Sequence, residues 1–383
     1  MKLQQCLRLL TLSLSLVLVA ACAASHTDGT GASGATIKRV WSVDVDQRQL
    51  AEPAGFSQPA VVESQGLIVI GGRDGRVRVY RLNGSEKHMI TIREACDSGA
   101  LLLPNGLVVV GDVGGALYGI DPVAGTIKWQ AQLAAPFLAN PVLLNDGFLV
   151  QTMDNRIYRY SFEGEKRWSF TGGVGSLGMY MSPSPLVLDG AVYAIFSSGD
   201  VVALKANSGD LLWRKQLLLN TDAPVLSELR TPLATPLYMP DAAIGIEQGR
   251  DLLLVSFYQG QVMALSRSDG RQLFSKDISI KSTPLIRQGI IYFATAAGDV
   301  EAVDLTSGAT LWKQNISGGE LLGPIMSHGK LWVADDRGVV IRMGVDGHQE
   351  ASLTLKGRIE RAPVATPAGV LVRTGPGVLT LLR

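Results

Sequence analysis

One unit of about forty residues recurs along this chain. A unit that short cannot bury its own apolar face, so successive copies must share a core. The clearest copy begins at Thr283 and reads TPLIRQGIIYFATAAGDVEAVDLTSGATLWKQ. Its alternation and turn residues divide it into four strands, TPLIR, GIIYFAT, DVEAVDL and ATLWKQ. The connections are a Gly-containing turn, a hairpin around Gly298-Asp299 and a tight turn at Ser307-Gly308. Further copies start at Gln58-Pro59, Asn140-Pro141, Ser184-Pro185, Thr235-Pro236, Gly323-Pro324 and Ala362-Pro363, and one near Ser98 lacks the proline.

The last turn sets the register. Gly84, Gly125, Gly164, Gly209, Gly270, Gly308 and Gly347 are equivalent, at spacings of 41, 39, 45, 61, 38 and 39 residues. Four residues after each glycine stand His88, Trp129, Trp168, Trp213, Phe274, Trp312 and Ala351, so the position favours a large ring. After the seventh turn, Ala362–Leu382 supplies three more strands but not a fourth. The missing strand is at the other end, in Lys38-Arg39-Val40-Trp41-Ser42-Val43, with Trp41 in the ring position. A split repeat has a use in a closed ring, where it removes the unpaired sheet edge, and none in a linear solenoid, the competing architecture. Residues 37–383 divided among eight copies give about 43 each, a propeller-blade length. The expected fold is therefore all-β: an eight-bladed β-propeller of four antiparallel strands per blade, closed by the N-terminal strand. Trp41, Trp129, Trp168, Trp213, Phe274 and Trp312 are its candidate blade-packing residues.

Residues 1–21 read as an address rather than fold. Lys2 and Arg8 precede an apolar run, Leu9 to Val19, that is short for a bilayer span. The run ends in Val19-Ala20-Ala21-Cys22, which resembles the lipobox of bacterial lipoproteins. That resemblance implies cleavage before Cys22 and its lipidation; an ordinary signal peptide with a Cys after small residues would read the same way. Ala23 in place of Asp suggests the outer membrane under the sorting rule of enterobacterial lipoproteins. Residues 22–36 then form the lipidated Cys and a flexible tether of small polar residues.

Several functions are disfavoured. With 35 Lys+Arg against 34 Asp+Glu the chain lacks the basic footprint of a nucleic-acid binder. Four scattered His give no metal-ligand spacing, and Cys96, alone once Cys6 is removed and Cys22 lipidated, reads as a small buried hydrophobe. Gly173-Val-Gly175-Ser-Leu-Gly178 matches G-x-G-x-x-G, but the Ser182-Pro183-Ser184-Pro185 that follows cannot continue a helix onto a pyrophosphate. Asp44 and Asp46, and the series Arg73, Arg76, Arg78 and Arg81 beside Asp74, read as solvated strand faces. No catalytic residue, cofactor or metal is expected.

The pattern Asp121-Pro-Val-Ala-Gly125-Thr-Ile-Lys-Trp129 resembles the PQQ-type propeller repeat, whose Trp residues pack between neighbouring blades. PQQ-dependent dehydrogenases share the blade but carry a vicinal Cys pair, which this chain lacks. The 61-residue spacing marks the irregular place, part of it between Met239 and Arg250 and the rest between blades four and five. There, Asp222-Ala-Pro224-Val-Leu226-Ser227-Glu-Leu229-Arg230, followed by Ala234-Thr235-Pro236, resembles the D-x-P-x-L-S-L-R motif of the BamB family, with Glu228 inserted. These are propeller lipoproteins of the outer-membrane β-barrel assembly machinery. The resemblance implies that Leu226, Leu229 and Arg230 contact a periplasmic POTRA domain of a BamA-like partner. It also implies an acidic pair before the next blade, where this chain has Ser279-Ile280-Lys281-Ser282. The expected role is non-enzymatic: assisting folding and insertion of outer-membrane proteins from the periplasmic face. A quinoprotein-like propeller and a periplasmic propeller that binds ligands or polysaccharides are the alternatives.

Overall fold

The structure, a computed structural model, describes residues 36–46, 55–173, 183–217, 231–239 and 251–383. Cys22, Leu226, Leu229, Arg230 and most of the Gly173–Gly178 motif lie outside the described residues. Among the described residues the strands form eight four-stranded antiparallel sheets, with one short 3₁₀ turn at Glu63–Gln65.

Blade six shows why the repeat folds as it does. Its strands are Leu285–Arg287, Ile290–Ala294, Asp299–Asp304 and Thr310–Asn315, paired in sequence order. The innermost strand has three residues, the shortest of the four. The two middle strands are almost wholly buried, since each of their faces meets a neighbouring blade. The outermost strand is mostly exposed along its length, with Trp312 half-buried, and the innermost strand runs from half-buried Leu285 and Ile286 to exposed Arg287. All blades repeat this gradient, so the continuous apolar runs belong to the middle strands and the polar alternation to the outer ones.

The core is a ring of eight apolar clusters, each built from two consecutive blades. One joins Val69, Val79 and Cys96 to Val108 and Tyr118, and the last joins Leu371, Leu379 and Leu381 to Ile68, Ile70 and Tyr80. That last cluster closes the circle. The closing sheet runs Val364–Thr366, Gly369–Arg373, Val378–Leu382 and then Arg39–Asp44, the N-terminal strand at its outer edge. Trp41 pairs with Leu381 and Val43 with Leu379. Beyond the ladder, Lys38 N donates to Arg383 O at 2.8 Å and Arg383 N to Lys38 O at 2.9 Å.

Two sequence readings change. Asp44 is exposed as expected, but Asp46 is 3% exposed and accepts two bonds from Arg373 Nη2 at 2.8 and 2.9 Å. The Arg series does not form one solvated edge either. Arg81 faces solvent, while Arg78 is fully buried and bonds both oxygens of Asp74 and the Val45 carbonyl. Alternation assigns a side chain to a face, but whether that face meets water depends on the neighbouring blade.

Candidate functional site

A ring residue sits on seven of the eight blade junctions, Ala351 taking the position between blades seven and eight. Trp129 Nε1, on blade two, donates to Phe162 O of blade three at 3.0 Å, and a Cβ added to Gly164 would come within 2.6 Å of its indole. Gly164 has φ +84°, so the turn needs glycine both for its backbone and to let the indole lie flat on it. The same bond recurs from Trp41 to Leu82 O, Trp168 to Ala206 O, Trp213 to Arg267 O and Trp312 to Val345 O, at 2.9 to 3.1 Å. His88 makes it too, placing Nε2 2.9 Å from Val123 O. Phe274 packs beside the cluster between blades five and six but has no N–H to donate. The turns are held locally as well. Asp121 Oδ1 accepts from Val123 N and Ala124 N, both at 2.9 Å, and these backbone bonds help hold its carboxyl below the usual range.

The opposite face carries the links between blades. The segment that holds Leu226, Leu229 and Arg230 is pinned at both described ends. Leu217 N donates to Gly199 O of the blade-four turn at 3.1 Å. Thr231 bridges Tyr258 on the blade-five turn, whose N donates to Thr231 O at 2.9 Å. Thr231, Leu233 and Ala234 are buried.

Beside that anchor lies a chain of paired charges. Tyr258 Oη donates to Glu320 Oε1 at 2.6 Å. Lys281 forms an ion pair with Glu320 and sits 4.9 Å from the centre of the Tyr258 ring. Burial and the bond to Glu320 push the Tyr258 phenol up. Asp336 Oδ1 accepts from Glu320 N at 2.9 Å, and its other oxygen accepts from Arg358 Nη2 at 3.0 Å. Lys281, which stands where the family resemblance implies acid, is thus neutralised within the rim. Ser279 is also engaged, its Oγ accepting from Gln259 N at 2.8 Å.

Among the described residues no cluster of His, Cys, Asp and Glu could hold a metal ion. Cys96 is fully buried, and burial pushes its thiol up to about 12, far from reactive.

The family model described as outer membrane protein assembly factor BamB matches residues 38–314 and 296–382. The chain belongs to the BamB family. Among curated BamB proteins, that of Bordetella pertussis is 26% identical over 357 residues, covering 92% of this chain and 88% of the relative. The Yersinia pestis BamB is 23% identical over 355 residues, covering 89% and 87%. The crystal structure of BamB from Moraxella catarrhalis superposes with a TM-score of 0.76 at 21% identity, covering 91% of this chain and 99% of that one. A computationally designed protein, Ika8, matches at 0.66 and 12% identity over 89% of this chain and 99% of its own. These superpositions show the fold, and the family assignment rests on the sequence match.

Proposed function

We propose that this chain is a non-enzymatic subunit of the outer-membrane β-barrel assembly machinery, anchored through lipidated Cys22 at the periplasmic face of the outer membrane. It binds the POTRA region of a BamA-like core subunit through Leu226, Leu229 and Arg230 and assists folding and insertion of outer-membrane proteins. The observation that carries this reading is the BamB family match over the whole ring. The described residues on either side of the motif, Leu217 and Thr231, are each bonded to a blade turn, and inter-blade links of this kind are free to carry function, which supports the reading. Two leucines beside an arginine have the composition of a binding hot spot. The arginine can take a partner carboxylate bidentately while the leucines exclude water.

The test is Arg230→Glu in the full-length protein, titrated against the BamA-like subunit. Stranding one member of a desolvated charge pair costs about 2–5 kcal/mol, so affinity should fall at least about tenfold. The melting temperature should not move. Unchanged binding with a normal melt would remove this segment from the interface, and weakened binding with a collapsed melt would make it a structural cover.

A further inference from the structure

The ring axis holds a cavity of about 250 Å³. Its wall is made where successive innermost strands begin, so each of several blades contributes one short polar residue, among them Gln58, Asn140, Ser184 and Thr283. Gln58, Ser184 and Thr283 are held by hydrogen bonds. Gln58 Nε2 donates to Ala362 O at 3.1 Å, and Ser184 Oγ donates to Asn140 O at 2.7 Å. Thr283 Oγ1 accepts from Thr235 N at 3.0 Å, which leaves its own proton to offer.

Three charged residues line the same space, and two are spent elsewhere. Lys281 is paired with Glu320, and Glu360 accepts from Arg358 Nε at 3.1 Å. Arg361 is different. Its Nε donates to Phe56 O at 3.1 Å and its Nη2 to Leu138 O at 2.5 Å, and no carboxylate among the described residues lies within ion-pair distance. Two of its five N–H groups are therefore used, both on neutral carbonyls. Burial draws its pKa down to about 10, with only partial relief from the field of Asp97. The cavity thus has one uncompensated positive charge, a fixed fork of donors and a free hydroxyl proton.

We propose that the axial cavity is a binding site for a small carboxylate, paired with the free N–H groups of Arg361 and hydrogen-bonded by Thr283. The guanidinium fork matches a carboxylate in shape, and a monoanion balances the single charge. The volume admits a small organic acid but not a folded partner or a polymer chain.

Ligand-observed NMR on the full-length protein tests it with three probes: propionate, neutral propionamide and inorganic phosphate. Propionate should bind saturably and propionamide should not. Arg361→Gln should weaken propionate at least about tenfold, the scale of losing a charge-assisted pair. Thr283→Val keeps the volume and leaves Arg361 untouched, and should weaken propionate about threefold, as for one hydrogen bond. It keeps the proposal testable if Arg361→Gln does not fold. No saturable uptake of propionate by the native protein, or uptake unchanged in both variants, would overturn the proposal. Phosphate uptake with propionate silent would overturn the carboxylate assignment.

Discussion

The junction between blades eight and one and the junction between blades four and five solve opposite problems. At the first, two chain segments more than three hundred residues apart must be held without a covalent link. At the second, the chain runs straight through but carries part of the excess in the 61-residue spacing that the repeat does not need, the rest lying between Met239 and Arg250. Their apolar clusters are equally complete: Ile68, Ile70, Leu379 and Leu381 at the seam, Ile195, Val201, Leu253 and Phe257 at the other, all nearly inaccessible. The difference lies in the charges. The seam buries its ion pair, Asp46 and Arg373 each having a side chain 4% exposed. A second buried arginine, Arg78, reaches across to Val45 O. At the four–five junction Arg267 meets Asp189 and Asp251, both at 2.7 Å, but Asp189 is 67% exposed and Asp251 37%. A buried pair costs desolvation and fixes geometry, whereas a wet pair does little of either. The seam therefore buries charge where the two ends of the chain meet, and the continuous junction keeps it wet.

Three experiments would break or sharpen this contrast. The largest effect is expected from deleting residues 37–44. It removes the outer strand of the closing blade, the Trp41 contact with blade one and the backbone pairing to the C-terminus. The loss should be several kcal/mol, read by chemical denaturation. A truncated protein that melts like the native one would show that the ring does not depend on its clasp.

Next is a matched pair of substitutions. Asp46→Ala strands Arg373 in a dry site and should cost about 3–5 kcal/mol. Asp189→Ala removes an exposed partner of Arg267, which keeps Asp251, and should cost under about 1 kcal/mol. Equal costs, measured by urea unfolding of both variants, would abolish the distinction between the junctions.

The smallest effect is expected in the first hairpin of blade five, where Leu237–Met239 pairs with Leu252–Ser256 across residues 240–250. Replacing 240–250 with a short Gly-containing turn should change stability by about 0.5 kcal/mol or less, because both strands keep their ladder and their cluster. A larger loss would show that the extra residues belong to the fold.

The ring was legible in the sequence to an unusual depth. The equivalent glycines, the ring residue four positions on and the split last repeat fixed the blade count and the closing strand. The first two are local in origin, a turn that needs positive φ and an aromatic at a constant offset, while the split repeat is read by comparing the two ends of the chain. The family match could be anticipated from the Asp222–Arg230 motif. Harder to read was His88, which looked like a departure from the ring position; its imidazole reaches the same carbonyl an indole would, and a nitrogen at the right offset was the available signal.

What the tertiary structure decided is where the same kinds of residue end up. Asp44 ends the N-terminal strand and Asp46 lies two residues beyond it, yet one is exposed and the other is locked to an arginine 327 positions away. Arg361 sits in an unremarkable link, and only closure of the ring brings it to a carbonyl 223 residues distant and to the wall of the axial cavity. The repeat determines each blade from its own forty residues, because hydrogen-bonded turns and apolar alternation act over short range. The fate of a charge depends on what the circle brings opposite it, and no local pattern carries that information.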